Sequence, residues 1–458
     1  MTTEVTIEKI LHGGAGIGRI GKVVVFVPYS APGDRLKVEI TEQKRNYWQG
    51  KTVDILEASP LRTSPLCPYY GSCGGCNLQH LSYASQLVAK KLLVNDCLQR
   101  LGKIFVPPGN PLANPIQWRY RNKTQFPVSG PPWSVGFFKP RSHQIVNAER
   151  CLIQPEEFDN LRAALMSRLE GTTETAYDER SGTGNLRHIV LKRGAATGEI
   201  ALMFVTATGS LSPSLHDRLP EEFLESPTPD PRSPPAVLVS IAHNVNPART
   251  NRVLGPRYET LAGRAHYFEK LLDQTLRISS GSFFQANTAA TELLVKRILK
   301  YLEPDGQKTV LDLYCGVGTI SLPVASFVGN VIGIEMDPAA IADARANVVA
   351  AGARNVQIIE APVEQGIKQV QQADAVILDP PRKGCPPGLL RDVVALKPQE
   401  IIYVSCNPTT LARDLAILHQ LEYETIEVQP IDMFPQTAHV ETVAKLVPAK
   451  KGTTSERK

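Results

Sequence analysis

Residues 309–325 read TVLDLYCGVGTISLPVA: an apolar run, a turn punctuated by Gly316 and Gly318, then a segment able to open a helix. A strand leading through a glycine turn into a helix is the repeating unit of an α/β sheet. The same texture continues on the C-terminal side in NVIGIE (330–335), VQIIEA (356–361), AVILDPP (375–381) and EIIYVSCNP (400–408), each an apolar run stopped by breakers. Between them lie stretches of helical character such as AAIADARANVVAAG (339–352). Alternation of this kind from about Leu272 onward predicts a doubly wound parallel sheet. Ligands of such sheets sit at the carboxyl ends of the strands, so chemistry is sought in the residues that follow each run.

Upstream the texture differs. Residues 1–58 alternate apolar and polar over short runs (KVVVFVPY, RLKVEITE, QGKTVDIL) broken by GGAGIG and APGDR, the pattern of a small independent β-barrel. Lys44, Arg45, Tyr47 and Trp48 form a compact basic and aromatic cluster in it. The segment resembles the TRAM domain, an OB-like RNA-binding barrel. From Leu211 to Ala236 there are seven prolines in 26 residues, which predicts an irregular excursion, and the tail from residue 450 to 458 is expected to be disordered.

At 458 residues and 42% hydrophobic, the chain is long enough for two or three domains. No apolar run approaches the ~20 residues of a membrane span, and the start MTTEVTIEKI lacks a basic region followed by an apolar one. A soluble, cytoplasmic monomer without a membrane partner is expected. The net charge of +5 is small, but residues 86–150 hold ten Lys or Arg against two acids. That stretch also contains Trp118, Tyr120, Phe126, Trp133, Phe137 and Phe138. Cations neutralise phosphates and aromatic faces stack on unpaired bases, so the mixture suits looped RNA, the alternative being core rings beneath a solvated basic face.

Eight cysteines in a cytosolic chain are not a disulfide framework. Cys67, Cys73 and Cys76 are spaced C-x5-C-x2-C in CPYYGSCGGC, where Gly71, Gly74 and Gly75 let the backbone aim several sulfurs at one point. Cys151, in AERCLIQP after the basic aromatic segment, is the candidate fourth ligand. Four thiolates fit zinc or an iron-sulfur cluster, and the spacing alone leaves both open.

At the sheet end, Gly316 and Gly318 allow a nucleotide-like ligand to approach the turn. Glu335 ends the next strand and can accept hydrogen bonds from ribose hydroxyls, or it can simply cap the helix that follows. No third glycine of the dinucleotide fingerprint is present, which points to S-adenosylmethionine rather than a pyrophosphate. Asp379 in ILDPPRKG and Cys406 in VSCNPTT both follow strands and share one rim, each held by adjoining prolines. Glu441, in DMFPQTAHVETVAKL beside His439 and Thr437, is expected to be partly buried with its pKa raised toward a proton-accepting role.

Taken together, FFQAN, DLYCGVG, DPPRKG, SCNP and DMFPQTAHVE closely resemble the RNA uracil-5-methyltransferase family, whose members act on 23S ribosomal RNA and transfer RNA. The resemblance covers essentially the whole chain. It implies a Rossmann-like methyltransferase domain (272–449) preceded by the OB-like barrel (1–58) and an α+β central domain (59–271) that contacts RNA. It further implies that Gln285, Tyr314, Gly316, Gly318, Thr319, Glu335 and Asp379 line the S-adenosylmethionine site, that Cys406 is the nucleophile and that Glu441 accepts the proton. Cys67, Cys73, Cys76 and Cys151 look like the [4Fe-4S] ligands of part of the family. Thr319 departs from the pattern, since many relatives carry Asn there.

The implied chemistry is covalent. Uracil C5 is a weak nucleophile until a thiolate adds at C6 and pushes electron density onto C5, after which the methyl group is taken and a base removes the C5 proton. A base stacked in folded RNA must be unpaired or flipped out first. Ribosomal RNA is the expected substrate, with transfer RNA the alternative. A cytosine-5-methyltransferase would use the same covalent logic on a different base edge, and a noncatalytic RNA-binding assembly factor would leave Cys406, Asp379 and Glu441 without work.

Overall fold

The computed structural model describes residues 2–11, 13–217, 235–250, 252–303 and 305–450. Most of the proline-rich excursion (218–234) and the tail beyond residue 450 lie outside the described residues. The chain sorts into two compact units, one of Met1–Ser64, His80–Pro115 and Ala290–Lys458, the other of Pro65–Gln79 and Ile116–Ala289.

The first unit begins with a closed barrel of β1 (Thr2–Ile10), β2 (Ala15–Ile20), β3 (Val23–Pro28), β4 (Arg35–Gln43) and β5 (Tyr47–Glu57), ordered β1-β2-β3-β5-β4. Alternate residues Val5, Ile7, Val25, Val27, Leu36 and Val38 point inward and are buried, the period-2 pattern legible in the sequence. Gly18 is where β2 crosses closest to β1, since a Cβ there would sit 2.3 Å from the Thr6 carbonyl oxygen. The basic and aromatic cluster falls on the β4–β5 turn and the start of β5, with Tyr47 packed edge-on against Phe26 at 5.3 Å. Helix α1 (Tyr83–Cys97) follows, capped by the Ser82 hydroxyl accepting from the Ser85 N–H.

The second unit is built on a six-stranded sheet ordered β13-β12-β11-β10-β6-β7. Its strands are β6 (Lys123–Ser129), β7 (Ser134–Val135), β10 (Leu186–Arg193), β11 (Glu199–Thr206), β12 (Val237–Val245) and β13 (Arg257–Gly263). Two small ribbons, β8 (Phe137–Phe138) with β9 (Ile145–Val146) and β14 (His266–Leu271) with β15 (Gln274–Ser279), complete its strands, alongside α2 (Glu156–Leu169) and the short α3 (Pro213–His216). Tyr120, Phe126 and Trp133 are buried, the latter two in the core with Phe158, Leu165 and Phe204. These three rings are therefore not stacking platforms; Trp118, Phe137 and Phe138 are half-buried.

The first unit resumes with α4 (Thr288–Leu302) and a seven-stranded sheet ordered β18-β17-β16-β19-β20-β22-β21. In chain order these are β16 (Thr309–Leu313), α5 (Ser321–Ala325), β17 (Asn330–Glu335), α6 (Pro338–Ala350), β18 (Val356–Glu360), α7 (Val363–Gly366), β19 (Ala375–Leu378), α8 (Pro387–Ala395), β20 (Glu400–Ser405), α9 (Pro408–Gln420), β21 (Tyr423–Ile431) and β22 (Glu441–Pro448). Strands β16 to β20 pair in parallel as expected, whereas β22 runs antiparallel to both β20 and β21. The sequence 432–440 makes a turn too short for a crossover helix, so β22 returns as a hairpin partner of β21. Successive residues serve opposite faces: Leu311, Leu313, Val376, Leu378, Ile401 and Tyr403 pack under α1, α8 and α9, while Val310, Ala375, Ile377, Ile402 and Val404 pack under α4 and α5. Among the described residues no helix is long and apolar enough to cross a membrane.

Candidate active site

The turn after β16 is held by backbone geometry. Tyr314 adopts φ +67°, Gly316 +56° and Gly318 +88°. The N–H groups of Tyr314 and Cys315 both donate to the Ile334 carbonyl on the neighbouring strand, at 3.0 and 3.2 Å. A Cβ on Gly316 would meet nothing within 4 Å, so the glycine faces open space, which fits a turn that a ligand approaches closely. Glu335, at the end of β17, accepts from the N–H of Gly316 (3.1 Å) and from those of Met336 and Asp337 (2.7 and 2.9 Å). It does not cap the following helix; that role belongs to Asp337, whose carboxylate accepts from Ala339 and Ala340 at the start of α6. Thr319 lies half-buried just before α5. Beneath the turn, buried Asp312 accepts from the Ser321 hydroxyl, and burial, with Asp379 and Glu335 nearby, pushes its carboxyl up to about 7.

Along the same rim, Asp379 follows β19 and Cys406 follows β20. The β20–β22 ladder pairs Ser405 with Thr442, and continuing that register by one residue sets Cys406 opposite Glu441. Glu441 is 2% exposed, and burial holds its carboxyl well above the usual range, with Asp379 adding to the effect and Arg382 opposing it. Cys406 feels the same surroundings: burial first, then Glu441 and Asp379, raise its thiol to about 12, against the pull of Arg382. The structure thus brings Cys406, Glu441, Asp379 and Arg382 within electrostatic reach of one another.

Arg382 was legible as part of DPPRKG but given no role by the sequence reading, although a cation directly after a rigid Pro-Pro strand end is a signal in itself. Its Nη2 lies 3.3 Å from His439 Nδ1, and its carbonyl accepts from Asn407 Nδ2 (3.2 Å) and the Thr410 hydroxyl (3.3 Å). Pro408, the proline adjoining Cys406, is the first residue of α9, with Asn407 as the N-cap accepting from Thr409 N–H at 3.1 Å. The nucleophile candidate is consequently fixed between a strand end and a helix cap.

In the second unit, Gln285 sits half-buried in the turn before α4. Its carbonyl accepts from Asn122 Nδ2 at 3.0 Å, the Ala286 carbonyl accepts from Asn122 N–H at 3.0 Å, and buried Lys192 donates to the carbonyls of Ser280 and Ser282 at 2.6 and 2.8 Å. The four cysteines expected as ligands, Cys67, Cys73, Cys76 and Cys151, line one cavity together with Gln79 and Arg121. Among the described residues, however, no group of three or more His, Cys, Asp or Glu is arranged to hold a metal ion, so the expected metal-ligating geometry is not formed there. The thiols are free, and burial raises Cys76 to about 11 and Cys151 to about 12. The Arg121 charge works the other way on Cys73, Cys76 and Cys151, and Gly75 N–H points at Cys73 Sγ at 3.4 Å. Arg121 was counted in the sequence only as part of a basic stretch.

Comparison with known proteins matches residues 272–448 to the model of the tRNA (uracil-5-)-methyltransferase family and residues 1–53 to that of the TRAM domain. An uncharacterized RNA methyltransferase of Halalkalibacterium halodurans is 39% identical, the match covering 97% of this chain and 96% of that one. One from Caldanaerobacter subterraneus is also 39% identical, over 96% of this chain and 97% of its own. Among solved structures, the Pyrococcus abyssi tRNA (uracil-54, C5)-methyltransferase in complex with S-adenosyl-L-homocysteine superposes with a TM-score of 0.76 at 30% identity, covering 97% of this chain and 99% of that one.

Proposed function

The chain belongs to the RNA uracil-5-methyltransferase family, and on that premise we propose that it forms 5-methyluridine in structured RNA, with Cys406 adding to uracil C6 and Glu441 removing the C5 proton. S-adenosylmethionine is the methyl donor, and an RNA methyltransferase activity with a TRAM domain for RNA follows from the family. The observation that carries the finer reading is the Ser405–Thr442 pairing at the end of the β20–β22 ladder, whose continuation sets Cys406 opposite Glu441, with Asp379 and Arg382 acting on both.

Burial penalises the charged form of each group and so raises both the Cys406 thiol and the Glu441 carboxyl. A donor bearing a positive sulfonium in the adjoining turn favours the thiolate and the carboxylate alike, while Arg382 pulls in the same direction. The Cys406 thiolate would bond to C6 as the C5–C6 double bond opens toward an enolate, C5 would take the methyl group as its bond to the donor's sulfonium sulfur breaks and S-adenosylhomocysteine leaves, and Glu441 would take the C5 proton as the C5–C6 double bond re-forms and the Cys406–C6 bond breaks. The burial that makes Glu441 a poor acid makes its carboxylate a strong base at that last step. Gln285, Tyr314, Gly316, Gly318, Thr319, Glu335 and Asp379 are assigned to the donor's site by the family resemblance, supported for the turn by the open face of Gly316 and the tie from Glu335.

The same reading gives Cys67, Cys73, Cys76 and Cys151 to a [4Fe-4S] cluster. What supports it is chemistry rather than geometry: four thiols line one cavity with the Arg121 cation and a backbone N–H directed at Cys73 sulfur, although the sulfurs are not gathered in ligating geometry; a cluster, when bound, would tie the 67–76 loop to Cys151. Residues 59–271 would contribute the RNA-contacting surface and residues 1–58 a second one. Ribosomal RNA is the first substrate choice, since a barrel with a four-cysteine set resembles the ribosomal branch; transfer RNA is the second, because the archaeal relative acts on it.

Anaerobically purified protein incubated with labelled S-adenosylmethionine and unmodified ribosomal or transfer RNA, followed by nucleoside mass analysis, tests this. 5-Methyluridine in one pool supports the reaction and names the substrate; 5-methylcytidine, or no product in either, overturns it. Cys406→Ala should abolish turnover while retaining the fold, and Glu441→Gln should trap the covalent RNA adduct on a denaturing gel.

A further inference from the structure

The residues of α1 that face inward have no part in the chemistry above, yet two of them reach the turn that delivers Glu441. Gln86 and Lys90, one helical turn apart on the same face, are each 1% exposed. Gln86 Nε2 donates to Gln436 Oε1 and Gln86 Oε1 accepts from the Gln436 N–H, both at 2.9 Å, while its remaining amide hydrogen goes to the Leu81 carbonyl at 3.1 Å. Lys90 Nζ pairs with the Asp432 carboxylate and donates to the Phe434 carbonyl at 3.0 Å.

These contacts fall at three points along 432–440, the connection between β21 and β22. Gln436 holds φ +69°, a left-handed conformation that a non-glycine residue adopts only when its surroundings fix it. The Phe434 carbonyl also accepts from the Thr437 N–H (3.2 Å) and hydroxyl (2.9 Å), and the Thr437 hydroxyl oxygen accepts from the His439 N–H at 3.3 Å. The Phe434 ring meets His439 edge-on at 5.9 Å, and His439 meets Arg382. From Lys90 to the catalytic rim every link is a hydrogen bond or ring contact.

A buried ion pair is a weak source of stability compared with apolar side chains of the same volume, but it enforces one geometry, since any other leaves a charge unpaired. We propose that Gln86 and Lys90 are positioning residues for proton removal: they clamp the 432–440 turn so that Glu441 is held over C5 after methyl transfer. The helix is itself braced on the barrel, where Lys9 of β1 pairs with Asp96 near the end of α1. This inference rests on the reading of Glu441 as the base, and its test separates the two.

Gln86→Leu removes the amide pair, and Lys90→Met combined with Asp432→Asn removes the ion pair without stranding a charge. Each is compared with the wild type and with Glu441→Gln for thermal stability, S-adenosylmethionine affinity, covalent RNA adduct and released 5-methyluridine. The clamp predicts donor affinity within about twofold of wild type, adduct formed at the wild-type rate, and release slowed at least tenfold so that the adduct accumulates. A role in folding alone would lower adduct and product together with the melting temperature. That pattern, unimpaired release, or failure of both variants to fold overturns the inference. Adduct from Glu441→Gln with none from the clamp variants rejects the clamp alone, whereas no adduct from Glu441→Gln rejects the base assignment and the clamp with it.

Discussion

Cys406 is a poor nucleophile in the free protein for the same reason that Glu441 is a poor acid: both are withdrawn from water beside Asp379, with Arg382 as the opposing charge. With the thiol at about 12, its reactive fraction should rise about tenfold per pH unit across the neutral range, because only the thiolate reacts. The rate at which iodoacetamide labels Cys406, followed by peptide mass analysis from pH 7 to 10, is expected to climb throughout, and Arg382→Ala should be slower at each pH. A plateau by pH 8 would mean a thiolate already present at rest. Asp312 gives a second test at this scale. Its carboxyl is raised from 3.8 to about 7, so the folded state binds a proton that the unfolded state has released. The associated stability is complete below about pH 4 and is lost as pH rises to about 7, an effect of a few kcal/mol for a fully buried group. Asp312→Asn keeps the acceptor for Ser321 and should flatten this loss when urea unfolding at pH 5 is compared with pH 8. An unchanged difference between the two pH values would show that Asp312 titrates normally.

Between β16 and α5 the design depends on glycine more than on side chains. Gly316→Ala would put a left-handed φ on a residue with a Cβ, at a cost of about 1–2 kcal/mol, but the added methyl would meet no protein atom within 4 Å. The variant should therefore fold, with its methyl group in the space left for the donor. Calorimetry is expected to show S-adenosylmethionine affinity reduced at least tenfold with only a modest fall in melting temperature; wild-type affinity would mean that the donor does not approach this turn. The parallel strands were legible because both faces are covered, so each reads as an unbroken apolar run. Glu441 and Cys406 were legible because each stands next to such a run. The antiparallel course of β22 was not, since hydrophobicity marks a strand without marking its direction. Nor was the place of α1 under the seven-stranded sheet: Leu93 and Val94 share a core with residues from 311 to 446, and a helical pattern does not say which distant surface it covers. Gln86 and Lys90 escaped for a related reason, because a polar residue's partner is invisible until the fold supplies it.

Over the whole chain, a net charge of +5 is too small to explain affinity for a polyanion, so binding must come from local surfaces. The structure removes some candidates. Lys90 is spent in a buried pair, and Tyr120, Phe126 and Trp133 are core residues, which leaves less of the 86–150 segment facing solvent than its composition implied. The barrel keeps the charges of its cluster outside: Lys44 and Arg45 are exposed on the β4–β5 turn, and the Lys44–Glu42 pair is worth little in water. If this turn contacts phosphates, replacing Lys44 and Arg45 by Gln should weaken RNA binding most at low salt. The slope of log affinity against log salt should fall by about 1.5, since each lost phosphate contact removes roughly 0.7–0.9. S-adenosylmethionine affinity should not change, because the substitutions touch neither the glycine turn nor the strand ends. Filter binding of unmodified RNA between low and moderate salt reads the slope directly. A parallel shift with the slope intact would mean that neither residue contacts a phosphate, and no shift would move RNA recognition away from this turn.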